Sequence, residues 1–186
     1  MCAAGNPIPA GEIMRPRTLI FTGDGKGKTT AAFGMVLRAA GHGQRVLIVQ
    51  FLKSNKASGE LKALAHLPGV ECVQIGRGFV PQPDHPEYAK HRETALEALA
   101  FARETVTTGR HDLIVLDEIC GAIARGLIEE DAVLALLDHP ARVASIALTG
   151  RNAGERLIAR ADTVSEMRLI KHAYAEGIPA RKGVEF

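Results

Sequence analysis

The sequence predicts an α/β domain with a mainly parallel central sheet of about six strands and helices on both faces. Three observations carry that prediction. Short β-rich runs alternate with helical stretches from residue 17 onward, which is the pattern of successive βα units. The run DLIVLDE at 112–118 is apolar almost throughout, as a strand buried on both faces of a sheet has to be. A glycine-rich turn follows the first strand and opens directly into a helix.

The elements follow in order. Residues 1–16 mix Gly, Pro and small residues without periodicity, so a flexible N-terminal arm is expected, with the domain over 17–186. TLIFT (18–22) is the first strand, and Ala31, Ala32, Met35, Val36 and Ala39 lie at helical spacing within 27–41 before the stop signals Gly41 and Gly43. RVLIVQF (45–51) is strand two, ELKALAHL (60–67) a helix ended by Pro68 and Gly69, and VECVQI (70–75) strand three. GRGFVPQPDHP (76–86), with three prolines and two glycines, is a substantial loop of the kind that carries specificity. A long amphipathic helix over about 87–107 ends at Gly109, and DLIVLDE (112–118) then belongs in the middle of the sheet. Helical stretches near 119–126 and 130–138 precede RVASIALTGR (142–151), whose apolar part is strand five; GERLIARA (154–161) is a short helix and TVSEMRLI (163–170) strand six.

Composition narrows the function classes. At 186 residues, with 46% hydrophobic and 24% charged residues, the chain has the make-up of one globular domain of about 100–200 residues. A formal net charge of +2 argues against a broad nucleic-acid or membrane-surface footprint, and 4% aromatic content without Trp argues against stacking platforms for single strands. The longest apolar runs fall far short of the roughly 18 residues of a membrane span, and the N-terminus lacks the pattern of a secretory signal. A cytoplasmic protein is expected. Three scattered cysteines and seven histidines without an HxxxH or HExxH pattern fit neither a disulfide framework nor a His or Cys metal site.

The turn after strand one reads GDGKGKTT, Gly23 to Thr30. Gly23, Gly25 and Gly27 permit the backbone to turn amides toward an anion, and the helix start adds its positive dipole end. Lys28 can reach phosphate oxygens and the Thr29 hydroxyl can ligate Mg²⁺, so the segment reads as a phosphate loop for a nucleoside triphosphate. It departs from the G-x-x-x-x-G-K-[ST] pattern in having Thr22 where glycine is expected, so the loop is one residue tighter or its first turn differs. Lys26 adds a cation at the loop tip, either on the nucleotide or in solvent. A charge about 4 Å from a phosphate oxygen is worth on the order of 4 kcal/mol at an effective dielectric of 20, before desolvation. Asp117 and Glu118 end the apolar strand 112–118, where one of them is expected to serve Mg²⁺ opposite Thr29. Arg151, in the turn after strand five, either meets triphosphate oxygens or is a surface arginine.

Together these residues resemble the corrinoid (cob(I)alamin) adenosyltransferases of the phosphate-loop type. The resemblance covers about Arg17 to the C-terminus: TGDGKGKTTAAFG (22–34), VQF (49–51), GRGF (76–79), LDEI (116–119), LTGR (148–151), KH (171–172) and ARKGVEF (180–186). It implies a RecA-like P-loop NTPase fold and transfer of the 5′-deoxyadenosyl group of ATP to the cobalt of a reduced corrinoid, with release of triphosphate. It assigns ATP to Gly23, Asp24, Gly25, Lys26, Gly27, Lys28, Thr29 and Thr30, and Mg²⁺ to Thr29 and Glu118 with Asp117; Arg151 is expected to join the ATP contacts, and Lys28 and Glu118 to be the catalytic residues. ATP is expected to lie reversed relative to other phosphate-loop proteins, exposing its 5′ carbon. Arg77 and Phe79 are the expected corrinoid contacts, with Pro81 where many members carry Trp and Tyr88 as a further aromatic downstream. A homodimer, completed at the corrinoid site by the N-terminal arm, and an electron donor such as reduced flavin or flavodoxin are also implied. Two other readings of the loop are an ATPase or small-molecule kinase and an ATP-dependent corrinoid-binding or escort module.

Overall fold

A computed structural model of the chain describes residues 15–55 and 58–185; the arm expected over 1–16 lies outside them up to residue 14. Six strands form one sheet in which every pairing is parallel. They are β1 Thr18–Thr22, β2 Val46–Gln50, β3 Val70–Gln74, β4 Leu113–Asp117, β5 Ser145–Thr149 and β6 Thr163–Glu166, in the spatial order β3-β2-β4-β5-β1-β6. The helices are α1 Lys28–Gly41, α2 Gly59–Leu64, α3 Tyr88–Thr108, α4 Ile119–Ala124, α5 Glu130–Leu137 and α6 Glu155–Arg160, with a 3₁₀ turn at Ala173–Glu176. This is the α/β architecture expected, a parallel sheet with helices on both faces and β4 in its interior.

Side-chain alternation along the strands divides the core into two layers. Val46 and Ile48 of β2, Leu113 and Val115 of β4, and Ala147 of β5 pack with Ala32, Val36 and Ala39 of α1 and Leu64 of α2. The residues between them, including Leu47, Val49, Ile114, Leu116, Ile146 and Leu148, face α3, α4, α5 and α6. The buried stripe of α3 is mostly alanine, with Ala95, Ala98 and Ala102, so this long helix lies close on the sheet. Gly109, left-handed at φ 62°, ends it.

Strand six is shorter than the 163–170 expected. It stops at Glu166, and the chain then crosses the phosphate loop, where Met167 O accepts a 2.6 Å hydrogen bond from Gly25 N. A partner in the loop replaces a partner in the sheet. Because all six strands run the same way, their carboxyl ends and following loops share one edge, where an open α/β sheet places ligands. No described helix is long and apolar enough to cross a membrane.

Leu116 is fully buried between the centre of the sheet and the α3 to α6 layer. Leu116→Ala should lower the unfolding free energy by about 2–5 kcal/mol in urea titrations followed by circular dichroism; a loss well under about 1 kcal/mol would contradict that packing.

Candidate active site

Thr22 remains the last residue of β1, in register with Glu166, and its hydroxyl accepts from Ala153 N at 3.2 Å. The loop turn therefore begins at Gly23, whose φ is 92°. A Cβ there would lie 2.5 Å from Met167 O, so both the dihedral and the crossing segment demand glycine. Gly27, at φ 106°, caps α1 without a side-chain hydrogen bond, leaving first-turn amides for an anion. One expected contribution to the cradle is absent: the Gly25 amide is committed to Met167 O.

Lys28 folds back over the loop, its Nζ donating to Gly25 O at 2.6 Å, and only 8% of the residue is exposed. Burial holds its ammonium below the usual lysine range, Arg151 pushes the same way, and Glu118 and Asp24 oppose both. Lys26, at the loop tip, lies 3.7 Å from Glu185. Arg151 sits 3.7 Å from Asp24 and is largely exposed. The loop region thus gathers three cationic side chains, with Lys28 the most enclosed.

The two acids behind the loop have separate environments. Asp117 is wholly buried. Its Oδ1 accepts from the hydroxyls of Thr29 and Thr149, each at 2.8 Å, and its Oδ2 from Gln50 Nε2 at 2.8 Å and Lys53 Nζ at 3.0 Å. Gln50 in turn accepts from Gln74 Nε2 at 2.8 Å, so a polar ladder joins the ends of β3, β2 and β4. Glu118 adopts a left-handed conformation, φ 65°, unusual for a residue with a Cβ and of the kind that accumulates at functional sites. Its amide donates to Thr149 Oγ1 at 2.9 Å, and its residue lines a cavity of about 440 Å³ shared with Gln50, Lys53, Ser54, Gln74 and Glu185. Burial raises the Glu118 carboxyl above the usual range, the Asp117 charge adds to this, and Lys53, Lys28 and Arg125 offset it in part. A saturated interior carboxylate therefore stands beside a largely buried one that borders the cavity.

The ATP:corrinoid adenosyltransferase BtuR/CobO/CobP family profile matches residues 14–186. The chain belongs to the ATP:corrinoid adenosyltransferase family. It is 40% identical over 171 residues to a corrinoid adenosyltransferase of Pseudomonas aeruginosa, covering 90% of this chain and 82% of that protein. A corrinoid adenosyltransferase of Sinorhizobium is 38% identical over 171 residues, 90% of this chain and 79% of that protein. That of Escherichia coli K12 is 34% identical over 168 residues, 90% and 84%.

The family's expected corrinoid contacts lie in the loop after β3. Phe79 is 92% exposed, which excludes a ring anchored in the core; Val80 is the buried anchor instead. Arg77 pairs with Glu87 at 3.6 Å. Tyr88, the further aromatic downstream, is half-buried: its hydroxyl donates to Arg125 O at 2.7 Å and its ring packs partly on the core. Lys171 and His172 serve local structure, Lys171 pairing with Glu176 at 3.1 Å and His172 Nδ1 accepting from Tyr174 N. Burial pushes the Cys72 thiol up to about 11 and that of Cys120 to about 12, so neither is a thiolate nucleophile near neutral pH.

The motifs VQF, LTGR and ARKGVEF contain Gln50, Thr149 and Glu185, but the sequence assigned none of the three a role, and Lys53 was not singled out. Gln50 and Thr149 had a usable signal, since each closes a strand adjoining β4. Glu185 had the C-terminal motif ARKGVEF, whereas Lys53 belongs to an irregular segment and had none.

Because the folded protein holds the Glu118 proton more tightly than the unfolded chain, its ionisation costs stability as pH rises from the ordinary 4.5 through the raised folded value. Glu118→Gln should therefore gain stability relative to wild type across that window and show no such gain below it. Denaturant titrations of both proteins at stepped pH test this; a difference independent of pH would refute the burial argument.

Proposed function

We propose that this chain transfers the 5′-deoxyadenosyl group of ATP to the Co(I) centre of a corrinoid, and that the residues around the phosphate loop perform the transfer. The observation that carries the reading is family membership over 14–186 together with a loop whose lysine is buried against it. Co(I) supplies an electron pair to the ribose 5′ carbon, the C5′–O bond breaks, and triphosphate departs with the bonding pair. Cobalt becomes formally Co(III) in the new Co–C bond. Charge grows on the leaving triphosphate, so fixed donors and cations aimed at it lower the barrier.

Lys28, with its ammonium on the loop, and the first-turn amides of α1 are assigned to that charge. Lys26 and Arg151 supplement them from the rim. The residues present also fit Mg²⁺, a hard cation that takes few protein oxygens and keeps several waters: the Thr29 hydroxyl and the Glu118 carboxylate are oxygen donors behind the loop. When bound, Mg²⁺ supplies further neutralisation of phosphate charge. Asp117, with both oxygens occupied by protein donors, orients Thr29 in this scheme. Phe79 and Arg77 face the corrinoid, a homodimer completes its site, and reduced flavin or flavodoxin supplies the electron that yields Co(I).

Protein mixed anaerobically with Mg-ATP and chemically reduced cob(I)alamin should give a light-sensitive alkylcobalamin spectrum and stoichiometric triphosphate. Persistence of Co(I) with formation of ADP and phosphate would instead identify an ATPase, and persistence of both substrates a binding protein. Lys28→Ala should slow transfer by about 100-fold or more. Phe79→Ala should leave transfer from supplied Co(I) nearly unchanged but slow it when the assay starts from Co(II) and reduced flavin; equal effects in both assays would remove Phe79 from the reduction step.

A further inference from the structure

Lys53 belongs to no phosphate-loop pattern, yet its Nζ lies 3.1 Å from Thr29 Oγ1 and 3.0 Å from Asp117 Oδ2. It comes from the irregular segment after β2 and lines the cavity beside Glu118. The Thr29 hydroxyl gives its one proton to Asp117 Oδ1, so what remains to it is acceptor capacity, and Lys53 draws on that capacity. A monovalent cation on a flexible stem thus bridges the hydroxyl and carboxylate that sit directly behind the phosphate loop. Among the described residues, four side chains bind Asp117, and Lys53 is the charged donor, the other three being neutral. A divalent cation engaging Thr29 would meet this ammonium at a distance where two positive charges repel strongly. The lysine is the partner with open space beside it: its side chain is 37% exposed, whereas Asp117 is 0% exposed.

We infer that Lys53 is a built-in counter-cation, which holds Thr29 and Asp117 together until a divalent ion engages Thr29 and then withdraws into the cavity, so that it sets how much metal the site requires. This rests on the proposed reading of Thr29 as the metal-facing hydroxyl. Lys53 is a positioning residue: it acts through Thr29 and Asp117. Displacing a resident charge opposes metal binding, and by linkage metal binding opposes the Lys53 contact to the same extent.

The test is a Mn²⁺ titration of the full chain by electron paramagnetic resonance, with ATP held saturating for each protein and no corrinoid, alongside thermal melts with and without Mn²⁺ and ATP. Lys53→Met should lower the Mn²⁺ half-saturation by about fivefold or more, and any melting-temperature deficit it shows without ligands should shrink when Mn²⁺ and ATP are present. Lys53→Arg, whose planar fork holds a carboxylate more firmly, should raise the half-saturation, and carries the test alone if Lys53→Met fails to fold. An unchanged half-saturation in these variants, with the same melting deficit in both conditions, would make Lys53 a static ion pair and overturn the inference while leaving the metal reading intact. Wild-type protein that binds no Mn²⁺ in the presence of ATP would overturn both.

Discussion

The arrangement of this site depends on keeping one carboxylate out of water. Removing an ionised group from solvent costs several kcal/mol unless donors replace the lost hydration, and Asp117 at 0% exposure has donors from four places. Thr29 comes from the first turn of α1, Gln50 from the end of β2, Lys53 from the segment beyond it, and Thr149 from the end of β5. That set is available because β4 lies between β2 and β5, with β5 next to β1. The Thr149 hydroxyl bridges the gap: it donates to Asp117 and accepts from the Glu118 amide. Strand order, loop position and the orientation of the threonine beside Lys28 are therefore coupled through one side chain.

The same constraint separates two adjacent acids. With Asp117 turned inward and the Glu118 amide held by Thr149, the chain enters α4 through a left-handed residue. The ideal Cβ position of Gly121 lies 3.0 Å from Glu118 Oε2, so the carboxylate extends over the first turn of α4. Burial and the neighbouring Asp117 charge then act on it together. Sequence leaves the pair equivalent, since both close the same apolar run; the hydrogen-bond inventory separates them.

Most of the fold was legible because it follows from periodicity. Two-sided burial wrote β2 and β4 as continuous apolar runs, and the spacing of Ala32, Val36 and Ala39 marked the inner face of α1. Strand six was overextended because Met167 to Ile170 continue a β-like composition, while what ends the strand is a tertiary event, the hydrogen bond from Gly25. The candidate site's glycine-rich loop and its two adjacent acids were legible as motifs at short range. Lys53 was not, because a lysine in an irregular segment carries no periodic mark and gains its meaning from Thr29 and Asp117, 24 and 64 residues away along the chain.

The loop after β3 presents the opposite problem to Asp117, an apolar group left in water. Gly78 N donates to Leu52 O at 2.8 Å, and Val80 is buried, so the backbone on both sides of Phe79 is tied down while its ring is 92% exposed. An untethered segment could fold that ring against the surface and recover much of its burial free energy, about 25 cal/mol per Å² of apolar area. Here the flanking anchors prevent it. A partner with a broad apolar face would recover that energy on binding, which a small polar acceptor of a phosphoryl group could not do. The same sheet edge thus carries Lys28, Lys26 and Arg151 at the loop and, after β3, an exposed ring; the proposed transfer to a corrinoid would set the first against a highly charged leaving group and the second against an extended acceptor.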